Sequence, residues 1–238
     1  FPSLRGCLAG GAPITADLGR RVRETFGVAG LANAWGMTEF PCATSPSLTA
    51  APEVLDHTVG PPVPGVSVRV VDRGGIELPA GGEGELRLKG PQCFLGYVDP
   101  ALDADAFDRQ GWLRTGDLGL VDADGNVRVT GRIKDAIIRN AENISALEVE
   151  NALATHPAVA DVAVIGVPDA RTGERVCAVV VPAPGPPSIP VTLDSLVEHC
   201  RAHGLSRYKR PERLVIVDHL PRNQFGKVVK KELREAFG

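Results

Sequence analysis

Two short motifs hold much of the charge that could do chemistry, Trp112-Leu-Arg-Thr-Gly-Asp117 and Gly131-Arg-Ile-Lys-Asp135, with a strand-turn-strand passage between them. Upstream, Thr38 and Glu39 follow a Gly36 turn. There a hydroxyl could donate to a phosphate oxygen and a carboxylate could hold a hard cation such as Mg2+ through oxygen. The same pair would also serve as a turn cap beside a solvated charge. Gly10-Gly11-Ala12-Pro13 closes a short apolar run. Bare glycine backbone lets a flat ligand lie close, although such a tetrapeptide most often makes only a tight strand-to-helix connection. Lys227 stands after a glycine turn in Leu220-Pro-Arg-Asn-Gln-Phe-Gly-Lys227. That loop is not a Walker loop, because the upstream glycine is missing and Val228 stands where Ser or Thr is needed. His199 and His203 share one helical face, and with no third ligand in view they read as a surface pair rather than a zinc site.

The elements that must position these groups follow from periodicity and turn chemistry. Leu4 to Ala9 reads as a strand, and Thr15 then caps a helix to about Phe26. Leu31 onward reads as a strand running into the Gly36 turn. From Ala50 to Gly65 the composition shifts to proline and glycine, the mark of a boundary or long connection. Val66–Val71, Gly84–Lys89 and Asn126–Thr130 then alternate, with turns between them, and predict a small barrel or open β module. Beyond Gly131 the pattern becomes strand and helix in turn. Strands are predicted at 136–139, 159–167, 175–181 and 213–217, with helices from Ser145 to about Thr155, from Leu193 to about His203 and from Val228 to Phe237. Ser145 with Glu148 three residues on has the spacing of a capping box. The predicted fold class is α/β and β in three parts: residues 1–57 as the C-terminal remnant of an α/β subdomain, 58–130 as a β-rich, barrel-like subdomain, and 131–238 as a mobile small α/β domain.

Composition narrows the function classes. The 238 residues carry a net charge of −3 and are 43% hydrophobic, which suits a globular protein with a sizeable core and argues against a general nucleic-acid binder. No apolar run is long enough to span a bilayer or to act as a signal segment, so a cytoplasmic location is the default expectation. The five cysteines form an odd set without a Cys-x-x-Cys pair and read as reduced, mostly buried small hydrophobes. From Arg201 on there are ten Lys/Arg against four Asp/Glu, a basic tail on an acidic body that points to an anionic ligand. The opening Phe1-Pro2, without an initiator methionine, predicts a piece of a longer protein.

Taken in order, Gly-Gly-Ala-Pro13, Trp-Gly-Met-Thr-Glu39, Gly-Glu-Leu-Arg87, Trp-Leu-Arg-Thr-Gly-Asp117, Gly-Arg-Ile-Lys-Asp135 with Glu-Asn-Ile144, and Pro-Arg-Asn-Gln-Phe-Gly-Lys227 resemble the adenylate-forming superfamily over essentially the whole chain. Within it the chain is most similar to AMP-forming acyl-CoA synthetases. The resemblance implies ATP, Mg2+ and coenzyme A as cofactors, and a carboxylic acid as substrate. Gly10, Gly11, Ala12 and Pro13 would line one side of the adenine, Trp35 would stack on the other, and Asn33 would accept from its exocyclic amine. Gly36 belongs to the same nucleotide-binding motif; Thr38 would contact the α-phosphate and Glu39 the Mg2+. Asp117 would bind the ribose hydroxyls, since one carboxylate can accept from two vicinal donors, with Arg132 assisting. Lys134 would be the hinge and Lys227 the catalytic lysine of the first half-reaction.

Two departures from the family pattern stand out. The phosphate-gripping loop rich in Ser, Thr and Gly and ending in Pro-Lys-Gly is absent, as is the acid-pocket portion upstream, so this chain alone is expected not to turn over ATP. Asn140-Ala141 stands where relatives usually carry a glycine pair beside the pantetheine path, which would narrow or re-bond a coenzyme A tunnel. Expected partners are the acid, coenzyme A, the missing N-terminal part of the same protein and a second copy of the chain as a homodimer, with no nucleic acid. Two alternatives stay open: an adenylation domain that loads a carrier protein, and a non-catalytic nucleotide-binding fragment.

Overall fold

The computed structural model describes residues 3–11, 14–185, 190–224 and 226–238. The chain divides into two compact units, Phe1–Ile133 and Lys134–Gly238.

The first unit opens with β1 (Cys7–Gly10), α1 (Ala16–Phe26) and β2 (Leu31–Met37), and the two strands run parallel. The helix starts where expected. Thr15 Oγ1 accepts from the Leu18 N–H, and the chain leaves through Gly27 in the left-handed region, its N–H on the Arg23 carbonyl. A hairpin partner, β3 (Phe40–Thr44), and a short helix, α2 (Pro52–His57), follow. Both lie in stretches that sequence reading left without structure. In α2, Pro52 occupies the first turn, where its missing N–H costs nothing. The Arg23 guanidinium grips Asp56 through two bonds of 2.7 Å and ties α1 to α2.

The second sheet of this unit contains β4 (Ser67–Val71), β5 (Gly84–Lys89), β6 (Leu113–Val121) and β7 (Val127–Arg132) in the order β4-β5-β6-β7, every pair antiparallel. One turn of helix, α3 (Asp103–Ala106), lies between β5 and β6. The sheet is open: β4 and β7 are its edges, so the barrel-like expectation is corrected to an open meander. Alternation along a strand reports which face is buried and says nothing about closure. One apolar core joins the sheets of this unit, with Trp35, Phe40 and Ala43 packed among Val70, Leu86, Leu88, Leu113 and Val127.

The second unit begins with a hairpin, β8 (Ala136–Arg139) and β9 (Glu142–Ser145), followed by α4 (Ala146–Leu153), β10 (Val159–Asp169), β11 (Gly173–Pro182), α5 (Leu193–Ala202), β12 (Arg213–Ile216) and α6 (Lys230–Phe237). The sheet order is β10-β11-β8-β9, with β12 parallel to β11. The central strands are apolar on both faces because both are covered. Val164, Val176, Ala178 and Val180 face Val149 and Leu153 of α4 and Leu196 of α5, while Ala163, Ile165, Cys177 and Val179 face Leu233 of α6 and Leu220 of the segment between β12 and α6. The Glu148 N–H donates to Ser145 Oγ as the spacing implied, and the full reciprocal box lies at Thr192 and Ser195. Among the described residues no helix is long and apolar enough to cross a membrane.

Candidate functional site

Asp117, on β6, is a buried acid held by two side-chain donors. The β6–β7 register sets it opposite Arg132, whose Nε donates to Oδ1 at 2.6 Å. Trp35, far away in sequence on β2, donates its indole N–H to Oδ2 at 2.9 Å. The Asp117 N–H in turn donates to Thr115 Oγ1, and the Thr115 hydroxyl donates to the Leu86 carbonyl at 2.6 Å. Asp117 is only 4% exposed, whereas the Arg132 side chain is 43% exposed. Each carboxylate oxygen has two acceptor positions, so both can still take a hydroxyl donor. Trp35 is itself 9% exposed and sits in the apolar core, so the contact it visibly makes is the bond to Asp117. Neither that bond nor the Thr115 support was legible in sequence, since the first depends on how two sheets pack and the second on the β5–β6 pairing.

The carboxyl ends of the parallel strands β1 and β2 bring the glycine turn beside the Trp35–Glu39 motif. Gly10 pairs with Ala34, and a Cβ on Gly10 would lie 2.9 Å from the Ala34 carbonyl oxygen. Gly36 lies within β2, at the irregularity between the Trp35–Thr44 and Met37–Phe40 pairs, so the expected Gly36 turn is corrected to Thr38-Glu39. A Cβ on Gly36 would come within 2.6 Å of the Cys42 nitrogen, and only glycine fits there. Asn33 sits on β2 two residues before Trp35, on the same face by strand alternation, and is half-buried. Gly11 is exposed at the mouth of the turn; Ala12 and Pro13 lie outside the described residues. In parallel α/β sheets the carboxyl ends of the strands are where ligands bind.

Thr38 is exposed and Glu39 half-buried. The Glu39 carbonyl accepts the Phe94 N–H at 2.8 Å, and Oε1 accepts the Tyr97 hydroxyl at 2.8 Å. That hydrogen bond, aided by burial, raises the Tyr97 phenol above its ordinary range. Tyr97 packs edge-on against Phe94, which stacks on Phe107. Sequence reading missed Tyr97, and a lone tyrosine in a loop gives no periodic signal.

In the second unit Lys227 is exposed on a short loop closed by the Arg222–Val228 bridge. Its N–H donates to Asn223 Oδ1 at 3.0 Å and its carbonyl accepts from the Asn223 N–H at 2.9 Å, so the backbone beneath the ammonium is fixed. Lys134, also exposed, is the first residue of this unit. Asn140 and Ala141 form the two-residue turn of the β8–β9 hairpin, with φ of +49° and +64°. The histidine pair has a third neighbour that sequence reading did not see: His156 packs 4.9 Å from His199, itself 4.2 Å from His203, centroid to centroid. Burial pushes the His156 and His199 imidazoles below their ordinary range. Among the described residues no group of three His, Cys, Asp or Glu is arranged to hold a metal ion.

Comparison with known proteins identifies the family. The model of the AMP-binding enzyme family matches residues 1–98, and that of the AMP-binding enzyme C-terminal domain matches residues 148–227. The chain belongs to the adenylate-forming superfamily and spans part of its length. It is 38% identical over 234 residues to the medium-chain fatty-acid–CoA ligase of Escherichia coli (strain K12), covering 98% of this chain and 41% of that protein. It is 37% identical to the salicyl-AMP ligase / salicyl-S-ArCP synthetase of Mycobacterium tuberculosis, covering 99% of this chain and 41% of that one. Among solved structures, ATP-bound MatB from Rhodopseudomonas palustris matches with a TM-score of 0.88 and 38% identity, over 97% of this chain and 45% of that chain.

Proposed function

We propose that a protein carrying this chain activates a carboxylic acid with ATP, forming an acyl-adenylate and pyrophosphate, and then passes the acyl group to the thiol of coenzyme A with release of AMP. The observation that carries this reading is Asp117, a carboxylate fixed by Arg132 and Trp35 with acceptor positions to spare for the ribose hydroxyls. Gly10, Gly11, Asn33 and Gly36 lie at the adjoining strand ends and would take the adenine, with Thr38 on the α-phosphate.

The first step sets one anion against another, so positive charge must gather where the transition state builds its negative charge. Lys227 would bring its ammonium there. Glu39 suits Mg2+ that is held mainly by phosphate oxygens: it is a single hard carboxylate with one oxygen occupied by Tyr97. When bound, Mg2+ supplies charge neutralisation on the phosphates. After pyrophosphate leaves, the thiol needs space that Lys227 would fill, and a swing of the second unit about Lys134 would clear it. The break between the two units directly before Lys134 supports that pivot.

The test is Lys227→Ala in the complete protein. It is expected to reduce adenylate formation by ~100-fold or more, while thioester formation from supplied acyl-adenylate stays within about twofold. Equal loss in both steps would remove Lys227 from its role. A second acceptor, a carrier-protein thiol, is favoured by the salicyl-S-ArCP synthetase relative. AMP release that needs a carrier domain and not coenzyme A would select it.

A further inference from the structure

The segment that opens the second unit is not a free strap. A tight 3-10 turn, Ile133–Asp135, leads directly into β8. Arg234, on α6 and a hundred residues downstream, reaches back to it. Its Nη2 donates to Asp135 Oδ1 at 2.8 Å and lies 3.4 Å from the Lys134 carbonyl oxygen. Neither partner is a loose surface group: the Arg234 side chain is 34% exposed and Asp135 19%.

One helical turn earlier on α6, Lys230 Nζ pairs with Glu150 Oε1 of α4 at 2.6 Å, with side chains 15% and 16% exposed. Glu150 Oε1 also accepts the Val164 N–H of β10 at 2.7 Å. Residues four apart share a helical face, so one face of α6 holds acids from the boundary turn and from α4. Leu233 is 3% exposed in the core beneath β10 and β11, and anchors the helix independently of its charges. The same helix begins three residues after Lys227.

We propose that Arg234 is a positioning residue of the domain swing: its pair with Asp135 clamps the boundary turn to the helix that follows the Lys227 loop. Rotation is thereby confined to the backbone at Ile133 and the start of Lys134, and Asp135 and the lysine loop move as one body. This rests on the two-step reading above for its consequence in catalysis, but the clamp itself is measurable without any ligase activity.

Hydrogen exchange of the 238-residue chain, followed by mass spectrometry on peptides spanning residues 133–139, tests it. Arg234→Gln and Asp135→Ala are each expected to speed exchange there by ~5-fold, with peptides from β10 and β11 unchanged. The double variant should exchange no faster than either single one, since both remove the same bond. Arg234→Lys, which keeps the charge, should recover most of the protection. No local acceleration, an equal acceleration across β10 and β11, or multiplying effects in the double variant would overturn the clamp. In the complete protein, Arg234→Gln should change the ratio of the two half-reaction rates. If exchange behaves as expected and Lys227→Ala nonetheless slows both half-reactions equally, the two-step reading fails and the clamp stands.

Discussion

Asp117 shows how a single carboxylate acquires partners, one placed beside it by motif and one that the sequence does not place there. The acid and Arg132 lie in motifs that stand out in the sequence, and the β6–β7 register brings them face to face. Trp35 was expected to stack on a flat ring; the structure also gives its N–H to Asp117. Strand alternation specifies the buried face of β2, but which strand of another sheet that face meets is a tertiary fact with no periodic trace. The two roles of Trp35 are separable by substitution. Trp35→Phe keeps an aromatic face and removes the donor, leaving a buried oxygen short of one bond at a cost of about 1–2 kcal/mol in stability. If the N–H anchors the ribose-binding carboxylate, AMP affinity of the complete protein falls ~5–10-fold in Trp35→Phe and little further in Trp35→Leu. Titration calorimetry decides it: affinity kept in Trp35→Phe and lost in Trp35→Leu would assign Trp35 to stacking alone.

Among the elements, those with a local chemical signature were legible. Thr15 and Ser145 announce α1 and α4 through their hydroxyl caps, and the alternation of β4 and β5 needed no context. What escaped was short or lacked its usual turn residue. The six residues of α2 hold less than two turns of periodicity, and β9 was hidden because its hairpin carries Asn140-Ala141. Two-residue hairpin turns with both φ positive favour Asn-Gly, so an alanine there gives no signal. It also carries strain. Ala141 at φ +64° places its Cβ against the following carbonyl, a penalty that glycine avoids. Ala141→Gly is therefore expected to stabilise the second unit by ~1 kcal/mol, the size of the left-handed penalty. The urea midpoint of the chain's second-unit transition should rise with no change in slope; an unchanged or lower midpoint would mean that the β8–β9 pairing already absorbs the strain.

On the scale of the whole molecule, this chain spans 41% of the length of its Escherichia coli relative, and the proposal gives it a floor for the nucleotide, a ribose acceptor and a lysine loop. The 238 residues contain no Ser/Thr/Gly-rich stretch ending in Pro-Lys-Gly, the phosphate-gripping loop that the family resemblance implies. Phosphoryl chemistry depends almost wholly on positioned charge, and each lost transition-state donor costs on the order of 3 kcal/mol, or 100-fold in rate. Several such donors missing together would leave the first half-reaction at background even with Asp117 and Lys227 intact. Exchange of labelled pyrophosphate into ATP by the purified 238-residue chain is accordingly expected to be indistinguishable from a protein-free control, with any substrate acid supplied. Exchange above that control would require residues 1–238 to hold a complete phosphate site, and the division of labour assigned here to Thr38, Glu39 and Lys227 would have to be redrawn.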